Sequence, residues 1–591
     1  MQTAEYIVKH LEELGINEFF GLPGDYNFNI LYAIENNPNT KWIGCTNELN
    51  AGYAADGYAR IRGYGALVTT YGVGELSAIN AIAGCMAENV PVIHLVGLPS
   101  TKNIESKKLI HHNFQNVDYQ NFINAYKNVT AASAFLTKDN AKIEIDRIFK
   151  TLIREKKPVY LAIPEDIALM EISDKVIAYD WISDKNTLDE LSLKIANKIN
   201  NSQNPVIIGD ILVKRFNAEL EYKEFVYKSG IPTTNFLMGT NLIDMESENY
   251  MGSFLGEQSN PIIQQYVVNT DCLIAVGPIY SDLNSFGQTL PYKIENHIAI
   301  YGTYTYFEGK CYDNVKMADL LETVTNLIGK KEIKIESVNL GLKPPVEKNE
   351  AISSLYIYAR LQDFIKENDI IIAETGTIPY GIVQLKFSSS VEILTQNLWG
   401  SIGWATPATL GACLAKTQSR VILISGEGAH QITAMEIGNI LRQGLKPIII
   451  IINNNGYTTE RLLSNNPQDN FNDIVQMNYA KFARVFDGDI WATKVSTTDD
   501  FDKALRVTQI MNKLCYIEIS TDSLDTPNIV KEFINKLKEK NNKINISETN
   551  VNNIYNTQKE LTLSNTDEHC KYETIVHRAL DINDQQEEES L

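Results

Sequence analysis

The chain has 591 residues and a net charge of −20, from 53 Lys and Arg against 73 Asp and Glu. Apolar residues make up 44% and charged residues 21%, which is typical of a globular protein with several domains. The acidic balance argues against a nucleic-acid partner, which needs a basic surface facing the phosphates. The cysteines form no CxxC pair, and no run of about 18 apolar residues occurs, so we expect a soluble cytoplasmic protein with no membrane partner.

Predicted strands and helices alternate along the whole chain. The N-terminal stretch MQTAEYIVKHLEELGI has the pattern of an amphipathic helix. The apolar runs that follow are too continuous for half-exposed strands and are typical of parallel sheets covered on both faces, which predicts an α/β architecture. Examples of these runs are Ala66–Tyr71, Pro91–Gly97, Val159–Pro164, Pro205–Asp210, Cys272–Gly277, Ile298–Gly302, Asp369–Gly376, Val421–Gly426 and Pro447–Asn453.

Two polar segments divide the chain into three blocks. Ala178–Asp189 has no periodicity, and Ser337–Asn349 has the Lys-, Pro- and Glu-containing composition of an exposed linker. From about Asn541 onward the chain is polar and acidic, which predicts a disordered tail. We therefore expect domains over residues 1–178, 190–336 and 350–540, followed by a tail over 541–591.

The segment Arg420–Glu460 contains the most informative chemical pattern. It has the pattern of strand, Gly turn, helix, strand and Gly turn, so both turns should emerge at the carboxyl edge of a parallel sheet, where such sheets bind ligands. Glu427 and Asn454 should therefore lie close together. A carboxylate, an amide oxygen and a backbone carbonyl suit Mg²⁺, and Gly428 and Gly456 would let a ligand approach the backbone closely. Considered alone, the segment also fits a plain βαβ unit.

This segment resembles one enzyme family. The GEG motif ending at Gly428, followed by NN at Asn454, resembles the GDG…NN signature of thiamine-diphosphate-dependent enzymes. The surrounding sequence QITAMEIGNILRQGLKPIIIIINNNGYTTE is similar to the pyruvate decarboxylase and indolepyruvate decarboxylase branch, and the likeness extends from about residue 3 to about residue 540. The resemblance implies three consecutive doubly wound domains with mostly parallel six-stranded sheets and a polar C-terminal tail.

Motifs far from this segment resemble the same family. They are FGLPGD ending at Asp25, NELNAGYAADGYAR with Glu48, YGVGELSA, the pair His111–His112, and GYTTE ending at Glu460. Taken alone, the key residue of each motif is more often an ordinary turn, helix-cap or surface residue. The motifs occur together in the same order as in the family, which favours the functional interpretation. As a dinucleotide fingerprint, GVGELS is poor because its sixth position is Ser77.

The family's chemistry assigns a role to each matching residue. The resemblance implies decarboxylation of a 2-oxo acid to an aldehyde and CO₂ with thiamine diphosphate and Mg²⁺, because no side chain holds the electrons that CO₂ leaves behind. Glu48, which should be buried, would protonate the aminopyrimidine ring. The catalytic residues would be Asp25, Glu48, His111, His112 and Glu460. The cofactor would be bound by Glu48, Thr377, Gly400, the apolar wedge Ile402, Gly426, Glu427, Gly428, Ala429, Asn454 and Gly456, and the metal by Glu427, Asn454 and Gly456.

The resemblance also predicts self-assembly. In the family, the N-terminal domain of one subunit meets the C-terminal domain of another across the cofactor. We therefore expect a homodimer or homotetramer.

Several residues depart from the family pattern. Glu427 stands where Asp is usual, and the added methylene matters because Mg²⁺ requires strict octahedral geometry. Ala429 stands where Ser is frequent, and the usual His-Gly after Glu460 is absent. Thr375 resembles the pyruvate-type residue, whereas Thr459 and Leu283 predict a wider pocket, so pyruvate, indolepyruvate, phenylpyruvate and branched-chain acids all remain candidate substrates.

Two other hypotheses remain open. A thiamine-dependent synthase or lyase that joins two carbonyl compounds would share the fold, although the His pair and Glu460 weigh against it. A catalytically silent binding protein is the alternative that Glu427 and the missing His-Gly would favour.

Overall fold

The computed structural model describes residues 1–173, 180–285, 296–336, 340–343, 345 and 349–546. Three sheets follow one another along the described chain, of six, seven and six strands. The first and third are entirely parallel, and the second is mostly parallel. The predicted α/β fold with three doubly wound, mostly parallel domains is therefore confirmed.

The N-terminal sheet has the order β2-β1-β3-β4-β6-β5. Its strands are β1 (Glu18–Gly21), β2 (Lys41–Gly44), β3 (Gly65–Thr70), β4 (Val92–Leu98), β5 (Ala132–Phe135) and β6 (Val159–Pro164). Its helices are α1 (Thr3–Glu13), α2 (Phe28–Asn36), α3 (Glu48–Arg62), α4 (Val73–Ala87), α5 (Thr101–Glu105), α6 (Gln120–Tyr126), α7 (Ala141–Glu155) and α8 (Glu165–Leu169).

The central sheet has seven strands in the order β13-β12-β11-β10-β7-β8-β9. They are β7 (Pro205–Gly209), β8 (Thr233–Asn235), β9 (Tyr250–Ser253), β10 (Cys272–Val276), β11 (His297–Ile300), β12 (Tyr304–Phe307) and β13 (Lys310–Asp313). The last two pair antiparallel at one edge. The helices are α9 (Lys185–Asn201), α10 (Leu212–Arg215), α11 (Glu219–Ser229), α12 (Pro261–Val268) and α13 (Met317–Leu327).

The C-terminal sheet has the order β15-β14-β16-β17-β19-β18. Its strands are β14 (Ile370–Ala373), β15 (Glu392–Thr395), β16 (Val421–Gly426), β17 (Ile448–Asn453), β18 (Ile490–Val495) and β19 (Leu514–Ser520). Its helices are α14 (Ser354–Phe364), α15 (Ile378–Ile382), α16 (Ala405–Ala415), α17 (Glu427–Thr433), α18 (Ile437–Arg442), α19 (Thr458–Leu463), α20 (Tyr479–Phe482), α21 (Thr498–Thr508) and α22 (Asn528–Ile546).

Burial explains why the apolar runs marked strands so well. Each predicted run forms a strand, and β3, β4, β6, β7, β10, β11 and β14 are buried along their whole length. A strand covered on both faces needs apolar side chains at every position, which produces the continuous runs. The predicted N-terminal amphipathic helix is α1, with Tyr6, Ile7 and Leu11 on its buried side.

The expected linkers and tail are more structured than their composition indicated. α9 begins at Lys185, inside the first expected linker, while residues 174–179 lie outside the described residues. In the second linker, Leu340 and Leu342 pack against the C-terminal core, and Leu342 N donates to Gln362 Oε1 at 2.9 Å. α22 continues to Ile546, past the expected start of the tail, and its apolar residues Val530 and Ile534 are buried. The rest of the expected disordered tail, residues 547–591, lies outside the described part of the chain.

The N-terminal and C-terminal sheets of one chain are joined by close packing of α3 on α16. A Cβ atom at Gly57 would lie 2.3 Å from the Ala408 carbonyl oxygen, and one at Gly411 would lie 1.9 Å from that of Ala54, so only glycine permits this approach. Among the helices that the structure describes, none is both long enough and apolar enough to cross a membrane.

Candidate active site

The carboxyl edge of the N-terminal sheet collects three of the predicted motifs. Strands β1, β2 and β3 are neighbours and run in parallel. Asp25 follows β1, Glu48 begins α3 after β2, and the Tyr71–Gly72 turn follows β3. Because parallel strands end on the same side of a sheet, these three motifs share one edge although they are far apart in the sequence. Folds of this kind bind ligands at that edge.

Asp25, His111 and His112 form a compact cluster at this edge. Asp25 Oδ2 lies 2.9 Å from His111 Nε2, and the two imidazole ring centroids are 4.4 Å apart. The three potential ligand atoms all lie within 4.8 Å of one another. The side chains of Asp25 and His111 are 48% and 57% exposed, so this group of acid and imidazoles can exchange protons with solvent or with a ligand.

The loop that carries the histidines is anchored by Tyr71 and Gly72. Tyr71 Oη donates to the carbonyl oxygen of His111. A Cβ atom at Gly72 would lie 2.0 Å from the His112 carbonyl oxygen, so a side chain there would displace the loop. His112 adopts a φ of +72°, a left-handed backbone that a histidine rarely takes without support from its surroundings. Burial, together with the neighbouring His111, lowers the pKa of His112.

Glu75 supports the Tyr71–Gly72 turn from its buried side. It is buried in the first turn of α4, and its Oε1 accepts a hydrogen bond from Gly72 N at 2.7 Å. Its Oε2 accepts from Tyr160 Oη at 2.7 Å. Burial raises the pKa of Glu75 to about 7. The sequence reasoning did not single out this acid, although its position three residues into a helix after a Gly turn is typical of a capping residue.

Glu48 is half-buried, whereas we expected it to be buried among apolar residues. It begins α3 at the open carboxyl edge of the sheet, which leaves one side of the residue uncovered. Its Oε1 lies 3.2 Å from the place where a Cβ at Gly74 would stand. The glycine at position 74 therefore leaves room for the carboxylate.

The second cluster lies at the carboxyl edge of the C-terminal sheet. Glu427 follows β16 and Asn454 follows its neighbour β17, and the two side chains meet, as parallel-strand geometry predicted. Gly456 N donates to Glu427 Oε1 at 2.7 Å. With its amide turned so that hydrogen bonds form, Asn454 Nδ2 donates to the Gly456 carbonyl oxygen at 2.8 Å and lies 3.3 Å from Glu427 Oε1, and its Oδ1 accepts from Thr458 Oγ1 at 2.6 Å. A carboxylate, a side-chain amide and a backbone carbonyl thus meet at this edge.

Burial dominates the electrostatics of this second cluster. Glu427 is 1% exposed, and its burial raises its pKa to about 7, against the opposing effect of hydrogen bonds from backbone N–H groups and the charge of Arg461. Arg461 holds the same loop, since its Nη1 donates to Asn454 O at 3.2 Å and its Nη2 to Asn455 O at 2.6 Å. Arg461 was not among the predicted site residues.

The glycines at this edge have two different roles. A Cβ at Gly426 would meet no atom within 4 Å, and one at Gly400 would only touch the Thr375 methyl group at 4.0 Å, so both border open space. Gly428 and Gly456 do not, contrary to expectation: a Cβ there would lie 2.6 Å from the Tyr457 ring and 2.4 Å from Arg461 Nη2, respectively. These two glycines permit close packing within the protein, and Gly456 also has a φ of +146°.

Glu374 organises the rest of the C-terminal edge. It follows β14 and is fully buried, which raises its pKa to about 7. Its Oε1 accepts from Thr375 N at 3.0 Å, and its Oε2 accepts from Gly403 N at 3.2 Å and Ala405 N at 3.3 Å. The segment before α16, which contains Gly400 and Ile402, is thereby tied to β14. The sequence signal that could have identified Glu374 is its position directly after an apolar strand.

The remaining predicted residues lie along the same C-terminal edge. Thr459 Oγ1 lies 3.7 Å from the Cβ position of Gly376, which joins the GYTTE turn to the ETGT turn. Thr377, Gly400 and Ile402 are half-buried, Ala429 is buried and Glu460 is exposed. Among the described residues, no hydrogen bond or ion pair connects Glu48 or the Asp25 cluster with Glu427, Asn454 or Glu460. These residues thus form two clusters, one at each sheet edge, which we call the N-terminal and C-terminal half-sites.

Comparison with known proteins agrees across the whole described fold. Models of the thiamine pyrophosphate enzyme domains match residues 1–122 (N-terminal TPP binding domain), 193–304 (central domain) and 375–519 (C-terminal TPP binding domain). Pyruvate decarboxylase of Kluyveromyces lactis is 33% identical over 552 residues, which cover 89% of this chain and 97% of that protein.

Two further relatives show the range of the likeness. Pyruvate decarboxylase isozyme 2 of Saccharomyces cerevisiae is 33% identical over 546 residues, 89% of this chain and 97% of the relative. Alpha-keto-acid decarboxylase of Mycolicibacterium paratuberculosis is 31% identical over 545 residues, 90% of this chain and 96% of the relative. The chain therefore belongs to the family of thiamine-pyrophosphate-dependent 2-oxo acid decarboxylases, and it is a carboxy-lyase of that family.

Proposed function

We propose that this enzyme converts pyruvate or a larger 2-oxo acid, such as indolepyruvate, phenylpyruvate or a branched-chain acid, to the aldehyde and CO₂, with Mg²⁺ bound beside thiamine diphosphate. One observation supports this most strongly: the two half-sites have complementary chemistry. The C-terminal edge presents buried oxygens that suit a cation, and the N-terminal edge presents exposed imidazoles with a carboxylate that suit proton transfer.

Glu427, Asn454 and the Gly456 carbonyl would hold Mg²⁺. The meeting of these three groups supports the assignment, because carboxylate, amide and backbone carbonyl oxygens are ligands that suit Mg²⁺. The open space beside Gly426 and Gly400 supports a bound cofactor there. The longer Glu427 reaches the loop at Gly456, so a carboxylate in this position can still meet the other two oxygens.

Thiamine diphosphate supplies, when bound, a ring that takes up the electrons left by departing CO₂. The protein's part begins with Glu48, whose carboxyl would donate its proton to the aminopyrimidine ring. Thr377 and Gly400 would hold that ring through polar groups, and Ile402 would press against the cofactor as an apolar wedge. Gly426, Gly428 and Ala429 would line the diphosphate.

Protons would be moved by Asp25, His111, His112 and Glu460. The direct contact of Asp25 with His111, and of one imidazole ring with the other, supports a relay in which a proton passes between neighbouring groups. Coupled acids and imidazoles titrate as a unit and can hold a proton at one atom while accepting at another. Release of the aldehyde requires both of these actions.

The complete site would form between two copies of the chain, as a homodimer or homotetramer. Apolar side chains remain exposed beside each half-site: Val73 at 58%, Ile432 at 48% and Met435 at 53%. A second copy would cover such residues and bring the two half-sites together. We also propose domains over 1–178, 190–336 and 350–540, and a cytoplasmic location.

The test is CO₂ release from purified protein across a panel of 2-oxo acids, with and without thiamine diphosphate and Mg²⁺. We expect release only when both are present, with the aldehyde as the accompanying product. If no 2-oxo acid of the panel releases CO₂ when thiamine diphosphate and Mg²⁺ are present, the proposal is contradicted. A condensation product in place of the free aldehyde would instead favour a carbonyl-joining synthase.

A further inference from the structure

One buried acid of the C-terminal domain contacts the turn that carries Glu48 in the same chain. Glu436 ends a 3₁₀ turn, Ala434–Glu436, between α17 and α18. It is fully buried, so its carboxylate must find its hydrogen-bond partners within the protein. Neither the proton relay nor the metal site uses it.

The partners of Glu436 lie around the start of α3. Its Oε2 accepts from Thr46 N at 3.2 Å and from Asn50 Nδ2 at 2.8 Å. Its Oε1 accepts from Asn439 Nδ2 at 2.9 Å, and the same amide lies 3.3 Å from Thr46 Oγ1. In the sequence, Glu48 stands between Thr46 and Asn50, which both donate to Glu436.

An acid from another domain thereby supports the residue just before the cap of α3. Asn47 is the N-cap of α3, and its side chain accepts from Asn50 N at 2.9 Å. In an ordinary capping box the residue three positions into the helix returns an acceptor to the backbone N–H at the cap. Here that residue is Asn50, which donates instead to Glu436, and Glu436 accepts the backbone N–H of Thr46, the residue before the cap and 390 positions earlier in the chain.

We propose that Glu436 is a positioning residue for Glu48, fixing the strand-to-helix turn from which Glu48 meets the cofactor. This inference rests on the proposed function of Glu48. A carboxylate that binds the turn on both sides of Glu48 restricts both the backbone and the first helical residue. Small errors in the placement of a reacting group are costly, since a shift of about 1 Å can reduce a rate by about 10²-fold.

The first measurement needs neither cofactor nor substrate. Hydrogen exchange of backbone amides in the cofactor-free protein should show Thr46 N–H exchanging about tenfold faster in Glu436→Ala, while strands β3 and β16 keep the wild-type rate. Glu436→Gln should restore most of the protection, because its amide oxygen can still accept from Thr46 and Asn50 while the Asn439 amide turns over. Unchanged exchange at Thr46 would overturn the proposed contact.

The second measurement reads the task of Glu48 directly. Exchange of the thiazolium C2 proton in the holoenzyme without substrate should be about tenfold slower in Glu436→Ala, with the calorimetric Kd for thiamine diphosphate changed by less than about threefold. In a Glu48→Gln background, Glu436→Ala should cause no further slowing, because the two residues act as one unit. Slowing by the same factor in both backgrounds, or a rate within twofold of wild type in the single variant, would overturn the proposal.

Two further variants keep the test sharp. Gln443→Ala removes an exposed contact of the same two domains, Lys41 Nζ to Gln443 Oε1 at 2.7 Å, and should leave both exchange rates unchanged. If Glu436→Ala does not fold, Asn50→Ala can be used in its place. Asn50→Ala removes one of the two hydrogen bonds between Glu436 and the turn, and it should slow C2 exchange by about threefold. If Glu48→Gln leaves C2 exchange unchanged, the role proposed for Glu48 fails, and that of Glu436 with it; if only Glu436→Ala leaves it unchanged, Glu48 keeps its role.

Discussion

The N-terminal and C-terminal half-sites have the same topology but opposite environments. With their strands numbered from the start of each sheet, both sheets have the order 2-1-3-4-6-5, and both collect their functional residues at the carboxyl edge. At the N-terminal edge the side chains of Asp25 and His111 are exposed, whereas at the C-terminal edge Glu427 is buried among backbone groups. Burial, and not strand order, therefore distinguishes the groups that we propose move protons from the group that we propose holds a cation.

Each edge also rests on a buried acid. Glu75 accepts the N–H of the Gly72 turn, and Glu374 accepts three N–H groups from Thr375, Gly403 and Ala405. Burial raises the pKa of both acids to about 7. The two edges thus share a supporting device while their exposed chemistry differs, and the following predictions test that contrast.

Glu48→Gln should cause the largest loss of activity. Removing a general acid lowers the rate by 10²–10⁴-fold, and we expect kcat to fall by about 10³-fold. The substitution preserves the size of the side chain and the start of α3, so the thermal unfolding midpoint should stay near that of wild type. Steady-state decarboxylation and calorimetry of cofactor binding check this; normal turnover would contradict the role of Glu48.

Asp25→Asn should cost about 10²-fold in kcat, since it removes the acid that contacts His111 while retaining its shape. The contrast with Glu48→Gln lies in C2-proton exchange without substrate, which Asp25→Asn should leave close to wild type. Glu165→Gln is a matched control at the same sheet, because Glu165 accepts from Ser100 N at 3.1 Å and lies outside the cluster. Equal losses in both variants would remove the special role of Asp25.

Glu427→Ala should weaken Mg²⁺ binding by at least about tenfold, because it removes the carboxylate among the three proposed ligands. Glu427→Asp tests whether the longer acid is adapted to its loop: we expect weaker binding, since the shorter side chain loses the contact with Gly456 N. Calorimetric titration of Mg²⁺ in the presence of thiamine diphosphate measures both. An affinity unchanged by Glu427→Ala would move the metal site elsewhere.

Glu75→Gln should change the pH dependence of stability while having the smallest effect on turnover. The pKa of Glu75 is about 7 when folded and 4.5 as its ordinary value, so between those pH values the folded state retains a proton that the unfolded state releases. Its contribution to stability is full below pH 4.5 and is lost as pH rises to about 7. Glu75→Gln should therefore reduce the fall in the free energy of unfolding over this pH range by roughly 3 kcal/mol. Urea unfolding from pH 4.5 to 8 checks this; parallel curves for both proteins would contradict it.

Periodicity predicted the parts of the structure that burial dictates. Strands β16 and β17 are continuous apolar runs, and the proximity of Glu427 and Asn454 follows from their parallel direction alone. The meeting of Asp25 with His111, 86 positions later, depends on an irregular loop, and only similarity to a family brought the two together. Hydrophobic periodicity does not predict the conformation of such an irregular loop.

The supporting acids were missed for a related reason. Glu374 and Glu436 function through backbone N–H groups that come from distant segments, and a single acid in a helix or after a strand looks like a solvated residue until those segments are in place. The short edge strands β2 and β13, like other strands outside the predicted runs, were also missed; in these two, four residues with mixed polarity produce no clear period. Tertiary contacts, not propensity, make these residues structural.

The most direct test of the account is complementation between two inactive variants. Glu48→Gln disables the N-terminal half-site, and Glu427→Ala combined with Asn454→Ala disables the C-terminal one. If the active site forms between two copies, mixing the variants with exchange of subunits creates hybrid dimers with one intact site, and roughly a quarter of wild-type decarboxylase activity should return. A mixture that exchanges subunits, as shown by mass spectrometry, yet stays inactive would contradict the claim that the two half-sites meet across copies of the chain.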